Sequence, residues 1–259
     1  VSLPGGTGLG WRGYIDEARG VVFFWSQKAA CTTLFEFLAA NMAERPADKH
    51  HFHDASKPTG PCREAIEGRG FASVILVRHP VTRIISAFFN KFCLYEGRRL
   101  AQRNDLESFA RALHDQFCRR QGVKLAENLM SFEQFLATIE AEMRARDKPH
   151  LPINGHWETQ MPPWLAAQGF RHDVVLHVEA LDRELGALAG ELGMIWQPRR
   201  SNSTRTARRP EPGYLGDIPA RRVALHGFGY DNFITPATLA QIRRMYAVDF
   251  ESFGYPDAP

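Results

Sequence analysis

The chain has 259 residues, with 32 Lys and Arg against 29 Asp and Glu, and an apolar fraction of 44%. That balance is ordinary for a folded globular protein and excludes a disordered or fibrous chain, while a net charge of +3 is too small for a nucleic-acid coat. The longest apolar run, Val21 to Trp25, has five residues, against about 20 for a membrane helix. The start shows no secretion signal, so a cytoplasmic protein is expected if the source is bacterial, or else a lumenal domain trimmed of its anchor.

The length suits one α/β domain spanning 1–259, with the Gly-rich residues 1–13 as a loose N-terminal arm. Those glycines precede the first strand instead of following it, so they are not a dinucleotide fingerprint. Val21 to Trp25 reads as a buried strand, Ser26 to Ala30 as a turn, and Leu34, Phe35, Leu38 and Met42 as the apolar stripe of a helix ending near Pro46. A second copy follows: strand Ser73 to Val77, turn Arg78-His79, then a helix opened by Pro80 with Ile84, Ile85, Phe88, Phe89 and Phe92 on its apolar face. Residues 95–150 read as mostly helical and charged. A third strand is expected over Asp173 to Val178, a helix over Leu181 to Leu192, a loop over 197–222 and a last helix from about Pro236 to Phe250. Alternating strands and helices imply a parallel sheet covered on both faces, with ligands beyond the carboxyl ends of the strands. Both strand-to-helix turns belong on that rim.

The first turn, Ser26-Gln27-Lys28-Ala29-Ala30-Cys31-Thr32-Thr33, is physically an anion cradle. Small residues let the backbone approach, a helix start offers N–H groups, two Thr add hydroxyls and Lys28 adds a mobile charge. It is not a Walker loop, because G-x-x-x-x-G-K-[ST] is absent. The bland alternative is a helix capped by Thr32 or Thr33 beside a solvated Lys. In the second turn Arg78 ends a strand on the rim, and Ser86 follows on the helix; together they would hold a second phosphate, the bland alternative being a surface Arg and a helix-interior Ser. Arginine outnumbers lysine 26 to 6, and its planar fork suits phosphate and sulfate. The four cysteines, Cys31, Cys62, Cys93 and Cys118, contain no C-x-x-C pair, so neither a zinc site nor a disulfide framework is indicated.

Lys28 through Thr33, together with Arg78, Pro80, Arg83, Ser86, Phe88 and Lys91, resemble the two nucleotide-binding motifs of the sulfotransferases that use 3′-phosphoadenosine 5′-phosphosulfate (PAPS). The second set fits R-x-P-x-x-R-x-x-S-x-F/Y-x-x-K at every specified position. The stretch His156-Trp157-Glu158-Thr159-Gln160 resembles the H-W-x-x-Q element of the carbohydrate branch, which includes chondroitin and dermatan enzymes, and the ending Tyr246 to Tyr255 resembles its final helix. His51-Phe52-His53 resembles the H-x-H of uronyl 2-O-sulfotransferases. Gln27 stands where that family usually has Pro, and His79 where it usually has Asp.

The resemblance implies a P-loop-like parallel sheet flanked by helices, the sulfotransferase fold. It implies sulfuryl transfer from PAPS to a hydroxyl of a carbohydrate-type or small-molecule acceptor, with no metal and no nucleic acid. Lys28, Ala29, Ala30, Cys31, Thr32 and Thr33 would hold the 5′ end of the donor, Lys28 meeting charge on the leaving phosphate. Arg78 and Ser86 would hold the 3′-phosphate, and Arg205, in a late basic loop, would contact the nucleotide. The base is expected to be His53, or after it His51, both on one face if the segment is extended. His156 is the rival base and, with Trp157, Gln160 and Arg208, is expected to hold the acceptor. Glu36 is expected to be peripheral. Two other readings are a nucleotide kinase or NTP hydrolase with a degenerate phosphate loop, and a non-catalytic binder of anionic glycans or nucleotides on the same fold.

Overall fold

A computed structural model describes residues 10–48, 50–123, 127–198 and 210–259. They form two compact units. The first draws on 1–79, 149–203 and 248–255, the second on 80–148, 204–247 and 256–259.

The first unit holds a sheet. Its strands are β1 (Arg12–Asp16), β2 (Val21–Trp25), β3 (Lys57–Pro58), β4 (Ala72–Val77) and β7 (Val174–His177), in the order β3-β1-β2-β4-β7. The three strands read from sequence are parallel: Trp25 pairs with Leu76, and Leu76 with Leu176. Their carboxyl ends therefore share one edge, as expected. Two antiparallel strands, β1 and β3, extend the sheet on the β2 side, so it is mixed and not purely parallel. The arm expected over 1–13 gives up Arg12 and Gly13 to β1; residues 1–9 lie outside the described residues.

All five residues of β2 are buried because both faces of the sheet are covered. Val21, Phe23 and Trp25 face α1 (Cys31–Ala40) and α8 (Leu181–Glu191), with Val74, Leu76 and Leu176 beside them. Val22, Phe24, Ile75 and Val77 face the other way, onto Cys62 of α3 (Thr59–Arg63), Met161 and Phe253. The alternation is the strand period of two. Burying each such side chain is worth about 1.5–3 kcal/mol. Ser73 and Asp173 tie β4 to β7 at the opposite edge: the Asp173 carboxylate accepts from the Ser73 N–H and hydroxyl, both at 2.7 Å. Helix α1 stops at Ala40, short of the expected Pro46. The Asn41 side-chain amide donates to the carbonyls of Phe37 and Ile195 and accepts from the Ile195 N–H, ending the helix.

The segment expected to be extended around the His cluster is instead α2 (His50–Ala55). Helix geometry turns Phe52 inward, where it stacks on Phe35 and meets Tyr14 edge-on. Residues two apart on a helix point in different directions, so His51 and His53 do not share a face.

The second unit is helical apart from the short hairpin β5 (Leu94–Tyr95) and β6 (Arg98–Arg99). It contains α4 (Pro80–Phe88), which runs into a wider π-helical turn over Phe89–Cys93, then α5 (Ser108–Gln121), α6 (Phe132–Arg144), α9 (Ala220–Val223) and α10 (Pro236–Met245). Phe88, Phe92, Phe132, Phe135 and Phe233 form its aromatic core. The last helix is not continuous. It breaks at Tyr246, and α11 (Ala247–Phe253) returns the chain to the first unit, which also includes the single turn α7 (Pro163–Ala166). No helix among the described residues is long and apolar enough to cross a membrane.

Candidate active site

The loop leaving β2 is wound tightly. Lys28 and Ala30 both take left-handed backbone conformations, with φ of 68° and 51°, and neither is glycine. Such conformations cost about 1–3 kcal/mol each and persist only where the surroundings impose them. The Ala29 N–H bonds the Ser26 carbonyl, and the Thr33 and Leu34 N–H groups converge on the Ala30 carbonyl to open α1. Ala30 is thus the N-cap, and the cap by Thr32 or Thr33 weighed from sequence is not formed. Cys31 and Thr32 are half-buried at the helix start and Thr33 is buried; Glu36 is exposed one turn on.

Arg78 leaves β4 on the same edge. Its Nη1 donates to the Lys28 backbone carbonyl at 3.2 Å, so the structure brings the Arg78 side chain against the Lys28 loop. The Arg78 backbone is gripped by Gln160: its N–H donates to Gln160 Oε1, and Gln160 Nε2 donates back to its carbonyl, both at 2.9 Å. Gln160 Oε1 also accepts from the Ser26 hydroxyl at 3.1 Å. The next residue, His79, donates its N–H to Glu179 at 2.9 Å. Glu179 also receives the Tyr255 hydroxyl, whose pKa is pushed far up by burial and by the neighbouring carboxylates.

The stretch 154–160 is a compact turn, not a helix or strand. The Asn154 side chain accepts from the His156 N–H and bonds His156 Nδ1 at 3.0 Å. With a proton on Nδ1, the lone pair of the neutral ring lies on Nε2. Glu158 is buried and spans the turn, accepting from the N–H groups of Ile153 and Thr159. The wholly buried Asp249 carboxylate receives the N–H groups of Gln160 and Met161. The Gln27 amide packs over Gly155, where a Cβ would displace it. Trp157 and Gln160, expected to hold the acceptor, are both buried.

His53 lies edge-on to Phe35 at 5.0 Å and to Trp25, the last residue of β2, at 6.0 Å. It therefore stands at the root of the Lys28 loop. His51 has no such position; its ring meets Phe52. Ser86 is wholly buried on α4 of the second unit, as is Arg83, whose guanidinium lies 5.8 Å from the Tyr246 ring. Lys91, which completes the second motif, is buried in that unit and forms an ion pair with Glu107 at 2.6 Å. Arg205 and Arg208 lie outside the described residues. All four cysteines are free thiols. Among the described residues no group of three or more His, Cys, Asp or Glu is gathered as a metal would need.

Several of these partners carry no sequence signal. Asp249 sits in an ordinary amphipathic helix, and the pairing of Gln27 with Gly155 joins residues 128 positions apart, so neither is visible without the fold.

A rim of parallel strands carries a strained Lys loop, a helix start and an Arg guanidinium on that loop's carbonyl. The sequence model of the sulfotransferase family matches residues 11–256, across nearly the whole chain. The chain belongs to that family and is a transferase of the sulfuryl group. No solved structure matches it.

Proposed function

We propose that this chain transfers a sulfuryl group from PAPS to a hydroxyl of a carbohydrate-type acceptor. The observation that carries the reading is the 3.2 Å bond from Arg78 Nη1 to the Lys28 carbonyl, which joins the two strand-exit loops on one rim. A donor with phosphate at two positions calls for a cation at each, and a Lys and an Arg on two touching loops fit that demand.

PAPS, when bound, supplies the transferable group. Lys28, with the first-turn N–H groups of Cys31 and Thr32, holds the 5′ end and meets the charge that grows on the phosphate as its bond to sulfur breaks. Arg78 holds the 3′-phosphate. His53 takes the acceptor proton while the acceptor oxygen forms the new bond to sulfur, so the products are a sulfate ester, adenosine 3′,5′-bisphosphate and protonated His53. His156, its ring set by Asn154, orients the acceptor. As in phosphoryl transfer, position and charge do most of the work.

Adenosine 3′,5′-bisphosphate at 100 times its Kd should stabilise the protein by about 2.7 kcal/mol, seen as a rise in Tm of several degrees. Lys28→Ala should keep the fold and lose about 10²–10³-fold in transfer. His53→Asn should keep nucleotide binding and lose turnover. Wild-type turnover in Lys28→Ala would remove the role given to that residue. Magnesium-dependent ATP turnover without preference for a 3′-phosphate would favour a kinase instead.

A further inference from the structure

We infer that Gln160 is a positioning residue that sets the spacing between the Lys28 loop and Arg78, and so tunes how tightly the 3′-phosphate is held. The inference rests on the reading of Lys28 and Arg78 as donor contacts and assigns Gln160 to the nucleotide side of the site, not to the acceptor.

Three features lead there. Arg78 is the first residue past β4, where the strand ladder ends at Val77. The Gln160 amide replaces the missing strand neighbour, accepting the Arg78 N–H and donating to the Arg78 carbonyl at 2.9 Å each. The same Oε1 takes the Ser26 hydroxyl, so one amide oxygen joins both loops. The Gln160 main chain is itself fixed, its N–H lying 2.8 Å from Oδ1 of the buried Asp249 carboxylate. The clamp therefore has a rigid base, one acceptor shared by two donors, and one donor on a carbonyl. Only a Gln-sized amide meets all three demands. A carboxylate there would set an acceptor against the Arg78 carbonyl, and an apolar side chain would leave the half-buried Arg78 N–H without this acceptor.

A fixed backbone at Arg78 matters because a guanidinium holds phosphate through two parallel bonds of defined direction. If the backbone is released, the side chain must be re-ordered each time the ligand binds. Loss of the clamp is therefore expected to weaken ligands that use Arg78 and to spare those that do not.

The test is calorimetric, on the full chain, with adenosine 3′,5′-bisphosphate and adenosine 5′-monophosphate as probes. Gln160→Met keeps the volume and removes the amide. It removes all three bonds of the clamp and should weaken the bisphosphate by about tenfold or more, while leaving the monophosphate nearly unchanged. Because Gln160 acts through Arg78, its substitution should add little in an Arg78→Ala background. Should Gln160→Met lack the wild-type circular dichroism spectrum, Gln160→Glu is measured in the same way, since it keeps an acceptor for the Arg78 N–H and the Ser26 hydroxyl and turns the donor to the Arg78 carbonyl into a second acceptor. Wild-type affinity in the folded variant, equal loss for both nucleotides, or effects that simply multiply with Arg78→Ala would overturn the inference while leaving the donor reading intact. If the wild-type protein binds neither nucleotide, the donor reading falls first and this inference with it.

Discussion

At the scale of single residues, the Lys28 loop is held against its own preference. Lys28 and Ala30 take conformations natural to glycine, and neither is one. Ala30 is the simpler test, because its side chain offers only a methyl group and it caps α1. Ala30→Gly should relieve about 1 kcal/mol of strain and raise the denaturation midpoint, against the opposite sign expected for glycine inside a helix. A lower midpoint would show that Ala30 is not strained. The chemical residues of this loop could be read from sequence, since a Lys among small residues before a helix is a recognisable cradle. What imposes the strain could not. The Ser26 hydroxyl bonds Gln160, and the Gln27 amide fills the space over Gly155, pairings that depend on segments more than a hundred residues away.

At the scale of elements, the strands that form the floor of the site were legible because they are buried on both faces and so read as unbroken apolar runs. β1 was missed for the converse reason. Its residues, Arg-Gly-Tyr-Ile-Asp, are only partly buried and carry no such run. The His cluster was misread because six residues fit either period, and the deciding contact, Phe52 against Phe35, is tertiary. The start of β7 carries a further consequence. His172 is wedged edge-on between Phe24 and Phe170, its Nδ1 lacks a hydrogen-bond partner, and burial pushes its pKa down to about 4 from 6.5. The unfolded chain then binds more protons than the native one between those values, so this contribution is complete above about pH 6.5 and is lost as pH falls toward 4. Denaturation midpoints measured from pH 7.5 to 4.5 should fall, and His172→Phe should flatten that part of the curve. Parallel curves for the two proteins would exclude His172 as the cause.

At the scale of the whole molecule, the family is shared by the chain from residue 11 to residue 256, across both compact units. Each unit contributes differently to what the motifs mean. In the first, the Arg78 guanidinium lies on the Lys28 carbonyl, so the two motif loops touch. In the second, Lys91 is spent on Glu107 beneath the Tyr95 ring, so the last position of the sequence motif stabilises its own unit. A motif match thus includes positions that serve packing, and only the fold shows which they are. The most direct measurement of the central claim is mass-resolved incubation of the wild-type protein with PAPS and a panel of carbohydrate hydroxyl acceptors. The expected result is one sulfuryl group gained by an acceptor for each adenosine 3′,5′-bisphosphate released, with both products lost in Lys28→Ala. PAPS left intact across the panel, with no binding of adenosine 3′,5′-bisphosphate by calorimetry, would contradict it.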